Sequence, residues 1–155
     1  MSQMTVLEPV GVAALSLWAL LIALVDLRRR KIPNILLVVG ILGGCGLGLL
    51  VPGVVPAGNP GSVIWGALIG LAVTLPGYAM RKLGAGDAKY AAVAGGLSGM
   101  GYAGTLWLVS GALLGALSLA MAVSGPRGWR GGSVPAGVAL SAAFVIVVLR
   151  HAMGV

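Results

Sequence analysis

Three carboxylate side chains, Glu8, Asp26 and Asp87, are the whole acidic complement of a 155-residue chain. Asp87 stands in "KLGAGDAKYAA", Lys82 to Ala92, behind Gly84 and Gly86 and two residues before Lys89. Glycine allows backbone angles and close approaches that a side chain would block. A carboxylate lined by Gly84 and Gly86 is therefore open to an extended peptide lying against it. Asp26 is followed by "LRRRKIPN", in which Pro33 and Asn34 turn the chain into a new helix. Two carboxyls that face one another and share a proton permit one particular chemistry: one takes a proton from water, the other protonates a carbonyl oxygen. Like charges held close cannot both ionise easily, so such a pair titrates in two separated steps. This chemistry hydrolyses a peptide bond with neither a covalent intermediate nor a metal.

Each acid also has a plain structural reading. Asp26 could pair with Arg29 or Arg30 one turn on, and Asp87 could be an ordinary acid at a helix N-terminus. Other catalytic chemistries find little to work with. Cys45 is the single cysteine and lies in an apolar run, which leaves no disulfide framework and no thiolate metal site. His151, the single histidine, sits near the C-terminus and suits a capping or interfacial role. No serine stands in a recognisable nucleophile elbow. Two aspartates without histidine supply too few ligands for a metal, so neither a metal nor a cofactor is expected.

The elements that must position these acids follow from composition. Hydrophobic residues make up 59% of the chain and charged residues 8%, against roughly 25% charged in an ordinary soluble domain. A soluble fold could not cover itself with so few polar groups, whereas lipid solvates an apolar exterior. The expectation is a single all-α, membrane-embedded domain over residues 1–155. Apolar runs place helices at about 10–27, 35–51, 62–80 and 134–149. The proline- and glycine-rich "PGVVPAGNPG" separates the second from the third. Tyr90 to Val123 holds no charged residue. As one straight helix it would run roughly 50 Å, beyond a hydrocarbon core of about 30 Å. The glycines of "GGLSGMGYAG" offer a turn, which splits it into helices at about 88–100 and 104–123 and gives a six-helix bundle.

Charge tests this count. With six spans, the connections after the first, third and fifth helices share a side. With Lys89 they carry Arg28, Arg29, Arg30, Lys31, Arg81, Lys82, Arg127 and Arg130, while only Arg150 lies opposite. That asymmetry puts the basic side in the cytoplasm and both termini outside. It also puts Asp26 and Asp87 together at the cytoplasmic face and Glu8 near the outer one. The net charge of +7 thus reads as a topology determinant suited to an anionic membrane surface. No basic stripe is interleaved with aromatics, so nucleic acid is not an expected partner. Trp65, Tyr78 and Trp129 fall near helix ends, where interfacial aromatics sit. Spacings such as Gly66/Gly70 and Gly111/Gly115 suit tight packing within the bundle.

With these residues placed, the motifs "D-x-x-x-R-K-I-P-N", Asp26 to Asn34, and "G-A-G-D-A-K", Gly84 to Lys89, resemble the type IV prepilin peptidase family of GxGD-type intramembrane aspartic proteases. "VPAGVALSAA", Val134 to Ala143, is similar to the "PYGVA" stretch that opens the last helix in that family, with Ala136 in place of the usual aromatic. The short length and the missing cysteine-rich cytoplasmic segment look like the branch serving Flp (Tad) pili. The resemblance implies that Asp26 and Asp87 are the catalytic pair. Gly84, Gly86, Lys89, Lys31, Pro33 and Asn34 would shape the site or touch substrate. It further implies cleavage of the short basic leader of prepilins or pseudopilins at the cytoplasmic face of the bacterial inner membrane. Membrane lipids and pilus-assembly machinery are the further partners, and no methyltransferase activity is expected.

Two readings from other classes stay open at this stage. A small ion- or proton-coupled transporter would use intramembrane acids near mid-depth; a non-catalytic pilus-assembly subunit would need neither acid.

Overall fold

A computed structural model describes residues 7–29, 31–81, 83–123 and 136–155. Arg30, Lys82, Arg127, Trp129, Arg130, Val134 and Pro135 lie outside the described residues, so the basic connections are described only in part. Among the described residues all regular structure is helical: α1 (Leu7–Arg29), α2 (Asn34–Leu50), α3 (Pro60–Ala79), α4 (Ala85–Val123) and α5 (Ala136–Met153). α1, α3, α4 and α5 are each long and apolar enough to cross a membrane; α2, at 17 residues, is apolar but shorter.

The count corrects the expected six helices to five, because the two predicted over 88–100 and 104–123 are one element. That element is not straight. Gly99 breaks α4 with φ 71° and ψ 175°, a conformation essentially reserved for glycine. Asp87 and Leu114 line the same cavity, although 27 residues of straight helix would hold them about 40 Å apart. α4 therefore doubles back at Gly99 into two arms, residues 85–98 and 100–123. The backbone groups released at the bend are satisfied locally. Ala57 N–H donates to the Leu97 carbonyl at 3.1 Å, and Met100 N–H donates to Ser62 Oγ at 2.9 Å. Irregular backbone inside an apolar bundle is tolerated only with such replacement.

Helix boundaries have local causes. Asn59 caps α3, its Oδ1 accepting from Ser62 N–H at 2.9 Å, and Pro60 opens the first turn. Arg81, with φ 56°, takes the left-handed conformation that stops α3 and turns the chain toward α4.

Leu15, Trp18 and Ile22 of α1 are buried, while Leu17, Leu20 and Leu24 on its other faces are exposed. An exterior this apolar is what lipid requires. Lipid tails give helices no hydrophobic reason to associate, so close packing must hold the bundle together. α3 and the first arm of α4 meet through Gly66 and Gly70, where an added Cβ would run into the Gly95 and Ala91 carbonyls. The Gly66/Gly70 pair thus works inside the bundle, whereas a Cβ at Gly111 or Gly115 would meet nothing within 4 Å. α5 packs against both α1 and α4, burying Phe144, Val147 and Val148. Its C-terminal end is tied down by His151, whose Nε2 donates to the Gly53 carbonyl at 2.6 Å. His151 Nδ1 lies 3.3 Å from the Tyr102 hydroxyl. Trp65 and Tyr78 are exposed on α3.

Candidate active site

Asp26 closes the buried face of α1, one turn beyond Ile22, and is itself buried. Its carboxyl lies against Gly137 near the start of α5, where an added Cβ would stand 2.7 Å from Oδ2. A carboxyl held inside an apolar bundle is expensive, which makes it a functional candidate by default.

Asp87 sits in the first turn of α4, half-buried. Its carboxylate accepts a hydrogen bond from the backbone N–H of Gly84, the residue before the helix. That is the returning half of a capping box, so the plain helix-terminus reading is part of the truth. The rest lies in its surroundings. Asp87 lines a cavity of about 280 Å³ together with Val73, Gly77, Trp107, Ala136 and Leu140, and it feels the charge of Asp26. The two acids, 61 residues apart in sequence, thus lie within Coulombic range of each other.

Of the two uses expected of the glycines before Asp87, backbone angle and close approach, the first is absent. Neither Gly84 nor Gly86 adopts a positive φ, so neither is needed for an unusual backbone angle. Their use is proximity. A Cβ at Gly84 would stand 3.1 Å from Asp87 Oδ2, whereas one at Gly86 would make ordinary contact with Ile32 at 3.5 Å. Through Gly86 and Ile32 the first turn of α4 rests on the loop before α2. Lys89 completes the junction, its Nζ donating to Asn34 Oδ1 at 3.3 Å. The two motifs that hold the acids are therefore brought together. Pro33 shapes the loop, its carbonyl accepting from Leu36 N–H at 3.1 Å, and Lys31 is exposed beside it.

Several residues of this region were not legible in the sequence. Tyr90, one turn beyond Asp87, is fully buried and its hydroxyl is 2.8 Å from Ser141 Oγ. It too feels the charge of Asp26. Ser141 lies one turn beyond Gly137, so one face of α5 meets Asp26 on α1 and Tyr90 on α4. Trp18 braces this arrangement, its ring edge-on to Tyr90 and to Phe144 at 5.7 Å each. Its indole N–H donates to the Leu36 carbonyl at 2.8 Å. Ala136, which stands where the similar motif carries an aromatic, lines the Asp87 cavity instead.

Two carboxyls in Coulombic range, one buried and one on a cavity wall, can divide the roles of base and acid toward a water and a carbonyl group. Among the described residues no cluster of histidine, cysteine and acidic side chains could hold a metal.

No curated protein and no solved structure matches the chain. The model of the type IV leader peptidase family matches residues 13–148, a span that contains both acids and all five helices in whole or in large part. The chain belongs to the type IV leader peptidase family.

Proposed function

We propose that this peptidase is an aspartic endopeptidase of the GxGD type in which Asp26 and Asp87 cleave the leader from prepilins or pseudopilins. The observation that carries the proposal is that Asp87, which lines a cavity, lies within Coulombic range of the buried Asp26. One carboxylate takes a proton from water as the water oxygen bonds to the scissile carbonyl carbon. The other, protonated, gives its proton to the carbonyl oxygen. Collapse of the tetrahedral diol breaks the C–N bond, the amine leaves with a proton, and the dyad returns to its shared-proton state.

The placement in this proposal is the bacterial inner membrane, with the acids at the cytoplasmic face. With α4 doubled back at Gly99, its two arms would make two passes and the five helices six in all, and the distribution of basic residues favours both termini outside. The arm over 85–98 would be only about 21 Å long, so its pass would be a short one. The reading extends to the branch that serves Flp (Tad) pili and to leader removal without methyltransferase activity. Co-expression with a prepilin, scored by mass, tests the proposal: the leader is removed when this chain is present and retained in its absence. A prepilin left intact by abundant, membrane-inserted protein would contradict it.

A further inference from the structure

The cavity beside Asp87 has two properties that together point to its occupant. Its walls are apolar, formed by Val73 of α3, Leu114 of the second arm of α4 and Leu140 of α5. It is also lined by Trp107, whose indole N–H is buried with no hydrogen-bond acceptor. A buried donor left unmatched is costly and calls for an explanation, such as a ligand that supplies the missing acceptor. A lipid acyl chain would fill apolar space but has no acceptor to offer. A peptide offers both parts, an apolar side chain and a backbone carbonyl.

We infer that this cavity is the subsite for an apolar residue of the substrate flanking the scissile bond, with a peptide carbonyl accepting from Trp107 Nε1. The inference rests on the reading of Asp87 as one of the two reacting acids. At about 280 Å³, the cavity lies near the lower end of ligand-site volumes, roughly 300 Å³. It suits one large side chain and its peptide unit. Its size depends on Gly111, which lines it and where an added Cβ meets nothing within 4 Å. A longer side chain there can occupy the space without disturbing the backbone.

The test uses the full-length chain in lipid nanodiscs and synthetic prepilin-junction peptides. These carry p-benzoylphenylalanine on either side of the cleavage bond. With the Asp87→Asn variant, one of the two peptides is expected to crosslink to the segment containing Trp107, Gly111 and Leu114, and Gly111→Leu should abolish that crosslink. In the active protein, Trp107→Phe should raise KM about tenfold with kcat little changed, the pattern of a lost binding contact. Its melting temperature should fall somewhat, because the smaller ring leaves a gap where Trp107 packs against the core, so KM is read at a temperature where the variant is folded. Crosslinks confined to other segments, or a photoactivatable phospholipid that labels this segment when neither peptide does, would overturn the inference. So would unchanged KM in both Trp107→Phe and Gly111→Leu. Cleavage by the wild type with crosslinks elsewhere sinks the subsite alone. Crosslinks at the cavity without any cleavage sink the endopeptidase reading and leave the binding site standing.

Discussion

Lys89 Nζ donates to Asn34 Oδ1 at 3.3 Å across 55 residues of sequence, and this bond joins the turn that carries Asp87 to the loop that follows Asp26. Both partners are exposed, so the bond contributes little to global stability. Its effect is local, on where the first turn of α4 rests. We predict that Asn34→Ala and Lys89→Met each slow prepilin processing several-fold with little change in melting temperature. The double variant should be no slower than the worse single one, the signature of two residues acting through one interaction. A Lys89→Met defect far larger than that of Asn34→Ala would instead place the ammonium on the substrate.

Gly137→Ala should disturb Asp26 directly. The new Cβ would stand 2.7 Å from Asp26 Oδ2, so either the carboxyl or α5 must shift. Overpacking of this kind costs roughly 1–3 kcal/mol, and the displaced group is one of the two acids proposed to react. Processing should fall by about tenfold or more, while Gly115→Ala, with open space around its Cβ, stays near wild type. Rate and melting temperature measured together on both variants check this contrast.

Tyr90→Phe deletes a buried hydroxyl and strands Ser141 Oγ, which is 1% exposed. Ser141→Ala strands the phenol in the same way. Each should destabilise the protein by about 1–3 kcal/mol, and the double variant by less than the sum, since no orphan remains. Because Tyr90 is one turn from Asp87 on α4 and Ser141 one turn from Gly137 on α5, both changes should also slow processing. A double variant that loses as much stability in denaturant titrations as the two single variants added together would contradict this pairing.

Gly99 carries the bend of α4. Its φ of 71° disfavours every other residue, and a Cβ there would stand 2.5 Å from the Ala57 Cα and 2.6 Å from Ser62 Oγ. Gly99→Ala should therefore prevent accumulation of folded protein, read as loss of the monodisperse peak after detergent extraction. A fully folded Gly99→Ala protein would show that α4 need not double back there.

Much of this arrangement could be read from residue order alone. Apolar runs located the helices to within a few residues, and the length of the uncharged stretch from Tyr90 to Val123 required a break among its glycines. Gly99 lies two residues before the turn expected at 101–103, yet the two arms remain one helical element. Charge asymmetry led us to expect Asp26 and Asp87 at one face, and it reports depth and side but not distance. Contacts between helix faces were not legible. In a lipid-facing helix the buried and exposed sides are equally apolar: Trp18 and Ile22 turn inward while Leu17 and Leu24 turn outward. No polar stripe marks which face packs. Tyr90, Ser141 and Gly137 therefore gave no signal until α5 was seen to pack against both α1 and α4. Gly84 and Gly86 were recognisable as an open approach to Asp87, but their use is close contact rather than backbone angle.

The measurement that bears most directly on the central claim is single-turnover cleavage of a prepilin by purified Asp26→Asn and Asp87→Asn proteins in lipid. Both substitutions keep side-chain shape and remove the titrating oxygen. Each variant is expected to fold, insert and bind the prepilin but to leave its leader attached. The loss should be on the order of a thousandfold or more, and combining the two should cost nothing further, as for groups acting as a unit. Cleavage at near wild-type rate by either variant would contradict the two-carboxyl mechanism.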